Sequence, residues 1–292
     1  MAKAVNFKGT GVAIVTPFTE RGDVDYSALT KLVEHLIKGK VEYIVVLGTT
    51  GESVTLSKDE KQNVINHIVK VNKKRLPLVL GVGGNNTAEI CESLKKSDLS
   101  AFSAILSVSP YYNKPSQEGI YQHYKAVSKA SPLPIILYNV PGRTGSNMAW
   151  DTTIRLAKEF KNIIAIKEAS GNVEQCMKII KHRPAGFLVI SGDDNITLPL
   201  IASGADGVIS VVANAYPKDF SDMVRASLKY DFKAAQKLHY KLMEITEQLF
   251  ADGNPGGVKQ VLALKNITKS FVRLPLVEPN DTVKAKLKKI AY

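Results

Sequence analysis

The sequence predicts an α/β fold, a closed (β/α)8 TIM barrel followed by a C-terminal helical extension. Short apolar segments rich in β-branched residues alternate with amphipathic helical segments, a pattern typical of repeated βα units around a parallel sheet. Eight such apolar segments can be counted, the number that a closed barrel requires. The chain has 292 residues, and barrels of this class commonly reach about 250 residues as one domain, so one large core accounts for most of it.

The predicted elements follow in order along the chain. The strands are expected at residues 12–17, 43–48, 78–83, 101–109, 135–140, 163–169, 188–192 and 207–212. Segments between them carry apolar residues at three- and four-residue intervals and are predicted to be helices, among them residues 25–38, 58–73, 116–129 and 150–160.

An open doubly wound sheet uses the same βα units and is the main alternative fold. Such a sheet usually carries a glycine-rich phosphate-binding turn after its first strand. Here the first predicted strand ends in Val15-Thr16-Pro17-Phe18, which is not such a turn and favours the closed barrel. Helical segments continue from about residue 232 to residue 290, so we predict a barrel over residues 1–225 and a C-terminal helical region over residues 226–292.

Composition and charge argue against several classes of protein. No apolar run approaches the ~18 residues that span a bilayer, and residues 1–6 lack the apolar core of a signal peptide, so we expect no membrane association and a cytoplasmic location. The net charge is +12, but the lysines are scattered and form no basic stripe with interleaved aromatics, so we expect no nucleic-acid partner. A positive field instead suits small anionic substrates.

The two cysteines do not indicate a metal site. Cys91 and Cys176 each lie in a helix-like segment without another Cys or a His at metal-ligand spacing. We therefore expect both to be packing residues and expect no metal ligands.

Lys167 is the residue that most clearly indicates chemistry. It lies in Ile163-Ile164-Ala165-Ile166-Lys167-Glu168-Ala169, an ammonium group in an otherwise apolar, strand-like segment. Burial disfavours the charged form of an amine, and a neutral amine is a nucleophile for carbonyl carbon. The alternative is a lysine whose stem packs inside while its head reaches water.

Polar residues gather where the predicted strands end, which is where barrels of this class place their active sites. Singly, each has a structural explanation: Gly48-Thr49-Thr50-Gly51 as a strand-to-helix turn, Ser191-Gly192-Asp193-Asp194 as a cap for the following helix, Arg143 as half of a structural ion pair. Their coincidence at one barrel mouth favours a site. The residues concerned are Thr49, Thr50, Tyr111, Tyr112, Asn113, Tyr138, Arg143, Lys167, Gly192, Asp193 and Ser210.

Schiff-base catalysis uses these residue types together. A lysine that attacks a ketone forms an iminium, which acts as an electron sink, so no metal or organic cofactor is needed. Tyr138 and Thr50 are placed to shuttle protons through their hydroxyl groups. The Thr49-Thr50 turn offers hydroxyls and backbone N–H groups to a substrate carboxylate, and Arg143 suits a second carboxylate.

Five ordered motifs, which together cover nearly the whole chain, resemble the dihydrodipicolinate synthase family, also called the 4-hydroxy-tetrahydrodipicolinate synthase family. That family belongs to the pyruvate-dependent class I aldolase, or N-acetylneuraminate lyase, superfamily. The motifs are Gly48-Thr49-Thr50-Gly51-Glu52-Ser53, Tyr111-Tyr112-Asn113-Lys114-Pro115, Tyr138-Asn139-Val140-Pro141-Gly142-Arg143-Thr144-Gly145, Ile166-Lys167-Glu168-Ala169 and Gly207-Val208-Ile209-Ser210.

The resemblance implies a homotetramer, a dimer of dimers, that condenses pyruvate with L-aspartate 4-semialdehyde on the path to diaminopimelate and lysine. Lys167 would form the Schiff base, and Tyr138, Thr50 and Tyr112 would relay protons, with Tyr112 entering from the neighbouring subunit. The remaining implied roles are carboxylate binding by Thr49, Thr50 and Arg143, and main-chain contacts at Gly192 and Ile209.

Two other functions remain open from the sequence. N-acetylneuraminate lyase and 2-keto-3-deoxy sugar-acid aldolases share the lysine and the tyrosine but act on other electrophiles; Arg143 and the paired Thr49-Thr50 favour the synthase. A catalytically silent barrel used for sensing or assembly is the second alternative, because fold alone does not guarantee activity.

Departures from the family pattern concern regulation and one loop. Ser53, Asn85, Glu89 and Tyr111 match residues of the site at which many bacterial members bind lysine as an inhibitor. Lys58 and Lys61, however, replace histidines of some lysine-sensitive members, and added cations repel an ammonium ligand, so whether lysine inhibits is left open. Gly257 stands where members often have a second proline, which puts the rigidity of that loop in doubt.

Overall fold

A computed structural model describes residues 6–291 and has the architecture that the sequence predicts. Eight parallel strands pair in chain order, and the last pairs with the first, so the sheet is closed. The strands are β1 (Gly9–Ala13), β2 (Tyr43–Val46), β3 (Leu78–Gly81), β4 (Ala104–Val108), β5 (Ile135–Asn139), β6 (Ile163–Glu168), β7 (Leu188–Ser191) and β8 (Gly207–Ser210).

Helices lie between the strands and continue after β8. The barrel helices are α1 (Tyr26–Lys38), α2 (Lys58–Asn72), α3 (Thr87–Lys96), α4 (Gln117–Ala130), α5 (Pro141–Thr144), α6 (Trp150–Glu159), α7 (Val173–His182), α8 (Thr197–Ala202) and α9 (Pro217–Leu228). The C-terminal extension comprises α10 (Phe232–Phe250), α11 (Gly256–Leu264) and α12 (Asp281–Ile290), so the break between α9 and α10 falls a few residues after the predicted boundary at residue 225. Within residues 6–291, no helix is both long and apolar enough to cross a membrane.

The eight predicted strands and the four predicted helices are present, but several predicted strand ends are wrong. The largest error is in the first strand, predicted at residues 12–17 and observed at Gly9–Ala13. The Ile14 N–H still donates to the Val45 carbonyl of β2 over 3.2 Å. Beyond it, the Val15 N–H donates to Asn214 Oδ1 over 3.1 Å, and the Thr16 hydroxyl donates to the Gly51 carbonyl over 2.7 Å. These buried residues resemble strand in sequence because apolar and β-branched side chains fill both environments.

The barrel interior is closed at its amino-terminal end by two aromatic rings. Phe7 and Tyr43 meet edge to face there, with ring centroids 5.3 Å apart. Gly11 makes room for the Tyr43 ring, since a Cβ at that position would lie 2.1 Å from it. Above them the interior is filled by inward-facing side chains, so the cavity in which chemistry takes place must lie at the carboxyl ends of the strands. This inner cluster includes Ala13, Val45, Val79, Ala104, Leu106, Ile136, Tyr138, Val140, Ala165, Ile190 and Ile209.

A second apolar layer lies between the strands and the helices. In α1, for example, Leu29, Leu32, Val33 and Leu36 are buried, at the three- and four-residue spacing of one helix face. Asp25 caps this helix by accepting a hydrogen bond from the Ala28 N–H over 2.9 Å. The repeated unit thus buries both faces of each strand, which is why the strand sequences are almost continuously apolar.

Arg273 of the C-terminal extension binds the start of α2. Its guanidinium donates to both carboxylate oxygens of Glu60, over 2.9 and 2.5 Å, and also to the carbonyls of Gly22 and Thr55. The hydrogen bond from Arg273 is the main reason that the pKa of Glu60 falls from 4.5 to about 2. The extension is therefore held to the barrel by an ion pair whose strength depends on pH.

We predict that replacing Glu60 with Gln reduces the pH dependence of stability in acid. Because the folded-state pKa lies below the ordinary value, the unfolded chain binds more protons between about pH 2 and pH 4.5, and stability from this group is lost as the pH falls through that range. E60Q should cost on the order of 1–2 kcal/mol at pH 6 and progressively less toward pH 2. Urea unfolding at a series of pH values measures both effects.

The matched control is Glu92→Gln, which removes an exposed pair with Lys96 and should change stability by less than about 0.5 kcal/mol. A constant difference between wild type and E60Q from pH 6 to pH 2 would contradict the assignment.

Candidate active site

Lys167 lies inside the barrel, on the inner face of β6, and its side chain is only 5% exposed. Tyr138 is its register partner on β5, and the lysine Nζ lies 4.4 Å from the centroid of the tyrosine ring. No carboxylate oxygen of residues 6–291 comes within 4.0 Å of this nitrogen. The alternative of a lysine with its head in water is therefore wrong, and an unpaired amine stands beside a phenol in the barrel.

Two outward-facing residues fix the positions of Tyr138 and Lys167. Asn139 and Glu168 follow them directly, and they are also register partners. The Asn139 amide donates to both Glu168 oxygens over 3.1 and 3.0 Å, and Gln175 donates to the same carboxylate over 3.0 Å. Sequence reasoning missed this network, although a polar residue ending each of two apolar strands was a usable signal.

Gly192 leaves room for the lysine side chain. It follows β7, its N–H donates to the Glu168 carbonyl over 2.7 Å, and a Cβ at this position would lie 2.9 Å from Lys167 Cε. Ile209, on β8, belongs to the inner cluster and is 1% exposed. Both residues predicted to make main-chain contacts are thus at the barrel wall, and Gly192 borders Lys167 directly.

Thr49 and Thr50 form a single 3-10 turn with Gly51 after β2. Thr50 is buried and Thr49 is exposed, so the two hydroxyls face different surroundings. Leu47 and Glu52, on either side of the turn, have φ angles of 58° and 51°, a left-handed conformation that is unusual for residues other than glycine. The backbone of the predicted carboxylate-binding turn is therefore strained and must be held by its surroundings.

Arg143 lies in α5, the short helix that follows β5, and is exposed. No carboxylate of the described residues lies within 4.0 Å of its guanidinium, so the explanation of Arg143 as half of a structural ion pair is wrong. Its five N–H donors face outward from a loop at the carboxyl end of the barrel and are available to a ligand.

Tyr112 is not buried with the other candidates. Its side chain is 87% exposed, its φ is 72°, and its backbone N–H donates to the Thr144 carbonyl over 3.3 Å. A large aromatic side chain held in this conformation at the surface is unusual for a single protomer.

The four residues matched to the lysine-inhibition site lie on loops and helices after β2, β3 and β4. Ser53 and Tyr111 are half-buried, whereas Asn85 and Glu89 are exposed. The Asn85 side chain donates weakly to the Tyr111 carbonyl over 3.5 Å, a hydrogen bond that joins two members of the group. The four residues thus follow three neighbouring strands of the barrel, and two of them are exposed to solvent.

A buried ion pair near Thr50 was missed by sequence reasoning. Lys259 of α11 is fully buried, pairs with Glu52 and donates to the Phe271 carbonyl over 2.9 Å. Burial lowers the pKa of Lys259 to about 8, against the opposing effect of Glu52. The signal was available: in Gly257-Val258-Lys259-Gln260-Val261, a lysine stands in a largely apolar run, as Lys167 does.

Asp194 does not cap the following helix, as the sequence had allowed. Its Oδ2 instead accepts from the backbone N–H groups of Val211 and Val212, over 3.0 and 3.3 Å, and so holds the turn after β8. Desolvation raises the pKa of this buried carboxyl to about 6, although these hydrogen bonds and one with Ser210 oppose the shift.

Comparisons with known proteins agree with this geometry. Residues 6–292 match the model of the dihydrodipicolinate synthetase family. The chain is 58% identical over 281 residues to the 4-hydroxy-tetrahydrodipicolinate synthase of Flavobacterium psychrophilum, covering 96% of each protein. The fold is similar to the crystal structure of the chloride-inhibited dihydrodipicolinate synthase of Acinetobacter baumannii complexed with pyruvate, with a TM-score of 0.93 and 42% identity over 98% of this chain and 99% of that one. It is also similar to the enzyme of Cyanidioschyzon merolae with lysine bound, with a TM-score of 0.92 and 37% identity over 97% of each chain.

Proposed function

This chain belongs to the dihydrodipicolinate synthetase family, and from that membership and its site we infer that it condenses pyruvate with L-aspartate 4-semialdehyde to give 4-hydroxy-tetrahydrodipicolinate. It is a Schiff-base-forming lyase of diaminopimelate and lysine biosynthesis. The observation that carries the conclusion is the unpaired Lys167, 5% exposed within the barrel, with its Nζ 4.4 Å from the centroid of the Tyr138 ring.

The proposed reaction begins at Lys167. Its Nζ adds to the carbonyl carbon of pyruvate, and the adduct loses water to give an iminium. Loss of a methyl proton then gives an enamine, whose terminal carbon attacks the aldehyde carbon of the semialdehyde and forms the new carbon–carbon bond. The amino group of the joined product attacks the iminium carbon, closes the ring and displaces the amine of Lys167, so the enzyme is regenerated. The water lost when the iminium formed is the one water that the overall reaction releases.

Proton transfer in these steps is assigned to a chain of hydroxyl groups. The phenol of Tyr138 and the hydroxyl of Thr50 are both nearly buried, and their oxygens are the groups that we propose accept the methyl proton and return one to the aldehyde oxygen. Burial supports this role because water then competes little for the same protons.

The carboxylates of the two substrates are assigned to different groups. We propose that Thr49 and Thr50 bind the carboxylate of pyruvate and that the main chain at Gly192 and Ile209 completes that pocket. Arg143 is assigned to the carboxylate of the semialdehyde, which is supported by its exposure and by the lack of a carboxylate partner among residues 6–291.

We further propose that a second copy of the chain completes the site. Tyr112 is 87% exposed in its own protomer, and a partner that receives it would supply both its burial and its place in the proton relay. The smallest complete unit is then a dimer, and a dimer of dimers is the tetramer that the sequence resemblance implies. The cytoplasmic location stays a prediction, as does the lack of a nucleic-acid partner.

The lysine-inhibition site is proposed at Ser53, Asn85, Glu89 and Tyr111. The enzyme of Cyanidioschyzon merolae, which this chain resembles, was solved with lysine bound. Glu89 provides a carboxylate for the ammonium group of such a ligand, whereas Lys58, exposed at the start of α2, opposes it.

The proposed function predicts that pyruvate is trapped on Lys167. Borohydride reduction of the wild-type protein with pyruvate should give a permanent adduct in the intact mass, and Lys167→Ala should give none, because the amine that forms the imine has been removed. The absence of an adduct on the wild type would favour the silent barrel.

Arg143→Ala is the matched control, since it removes a cation from the same mouth without touching the amine. It should retain the adduct while turnover of the semialdehyde falls roughly 10- to 100-fold, the range for losing charged hydrogen bonds. If the wild type forms the adduct but does not consume the semialdehyde in a coupled reductase assay, another electrophile is indicated, as in the sugar-acid aldolases.

A second prediction concerns Tyr112. Neither Lys167→Ala nor Tyr112→Phe should be active alone, but co-expressed and purified as a hybrid they should recover up to roughly half of the wild-type activity, because one site per dimer receives both intact groups. The control hybrid pairs Lys167→Ala with Tyr138→Phe, whose phenol lies in the same protomer as its lysine, and should stay inactive. Recovery in both hybrids, or in neither, would refute the transfer of Tyr112 between subunits.

A third prediction tests regulation. Millimolar L-lysine should lower the rate in the coupled assay, and Glu89→Gln should weaken the inhibition because it removes the negative charge that the ligand needs. An unchanged rate across the titration would show that the added lysines at positions 58 and 61 have abolished the site.

A further inference from the structure

We propose that Asn254, in the C-terminal extension, is a positioning residue that orients the hydroxyl of Thr50 for proton transfer. Its side-chain Nδ2 lies 3.1 Å from Thr50 Oγ1, and both residues are buried, at 8% and 3% exposure. The proposal rests on the proposed function, because it concerns how Thr50 performs its part.

The direction of this hydrogen bond determines what Thr50 can do. An amide NH2 group donates and cannot accept, so the threonine oxygen is the acceptor. A hydroxyl has one proton of its own, and with its oxygen engaged by Asn254 that proton points to another acceptor. The contact therefore leaves the Thr50 proton to be donated to another group, as a proton relay or a carboxylate-binding group requires.

The segment that carries Asn254 is fixed to the same loop at a second point. Five residues later, Lys259 pairs with Glu52, two positions after Thr50. Asn254 thus contacts the Thr50 hydroxyl within the strained turn, and Lys259 forms an ion pair with Glu52, which directly follows the turn. Loss of the first contact leaves the second in place, so the loop should keep its backbone path when only Asn254 is changed.

Gly257 keeps this segment close to α10. A Cβ at this position would lie 2.3 Å from the Leu249 carbonyl oxygen, so a side chain here would push the two helices apart. Gly257 stands where family members often have a proline, and this had put the rigidity of the loop in doubt. In the structure the glycine allows the two backbones to lie in close contact.

The second polar atom of Asn254 argues against a purely structural role. Its Oδ1 is buried and has no hydrogen-bond partner within residues 6–291. An unpaired buried acceptor is costly, and a side chain selected only for stability would have both ends satisfied. An asparagine that tolerates this cost is better explained by what its NH2 group does for Thr50.

The test is a double-mutant cycle between Asn254→Asp or Asn254→Ala and Thr50→Val, with kcat and KM measured in the coupled assay. Asparagine to aspartate keeps the shape but replaces the donor by an acceptor, so both Asn254 variants should lower kcat about tenfold, the effect of one lost hydrogen bond. In the Thr50→Val background the same changes should lower kcat by less than about twofold, because the group on which they act has gone.

Asn72→Ala is the matched control. Asn72 is also buried, at 2% exposure, but it bonds the Leu76 backbone before β3, at the closed end of the barrel. This variant should lower the unfolding midpoint and leave kcat unchanged. Additive losses at residues 254 and 50, or a wild-type kcat in the folded Asn254→Asp protein, would overturn the proposal. A wild-type protein that fails to trap pyruvate would overturn the proposed function instead, so the two failures are distinguishable.

Discussion

The site depends on an amine that is buried without an anionic partner. Two lysines of residues 6–291 are buried, and their surroundings differ. Lys259 is held by Glu52 and by the Phe271 carbonyl, so its nitrogen is engaged and serves to fix a loop. Lys167 has Tyr138 beside it and no carboxylate within 4.0 Å among residues 6–291, so its nitrogen is free to bond carbon. The contrast supports a structural role for Lys259 and the proposed chemical role for Lys167, although both stand in apolar sequence.

Most of the barrel and the centre of the site could be predicted from sequence because their signals are local. A strand or a helix is specified by the period of its apolar residues, and the carboxyl ends of eight parallel strands must converge, so Lys167, Tyr138, Thr50 and Arg143 could be assigned to one mouth. The strand ends could not be placed, since residues 14–17 resemble a strand in sequence although Val15 and Thr16 bond groups outside the sheet. The contacts of Asn254 and Lys259 were also missed, because they join positions about 200 residues apart in sequence and no local pattern encodes which loop an extension meets.

The C-terminal extension is separate from the barrel in topology, but its side chains contact the loop that carries Thr50. The extension contributes Asn254 beside Thr50, Lys259 to Glu52 and Arg273 to Glu60, all on the loop and helix that follow β2. That loop has left-handed residues on both sides of its turn, and a strained backbone persists only where its surroundings hold it. The extra helices therefore do more than cover the barrel, since they support the turn that we propose binds a carboxylate in a conformation that it would not hold alone.

The burial of the site residues also orders the proposed reaction. Lys167 lies at 5% exposure behind the mouth, whereas Arg143 is exposed at its rim and Tyr112 projects from the protomer. Pyruvate, the smaller substrate, must reach the amine first, because a semialdehyde held at the rim would stand in its path. Once the enamine has formed, the aldehyde carbon needs to approach only its outer carbon. A net charge of +12 favours the entry of both anions, and the exposed position of Arg143 supports its assignment to the second of them.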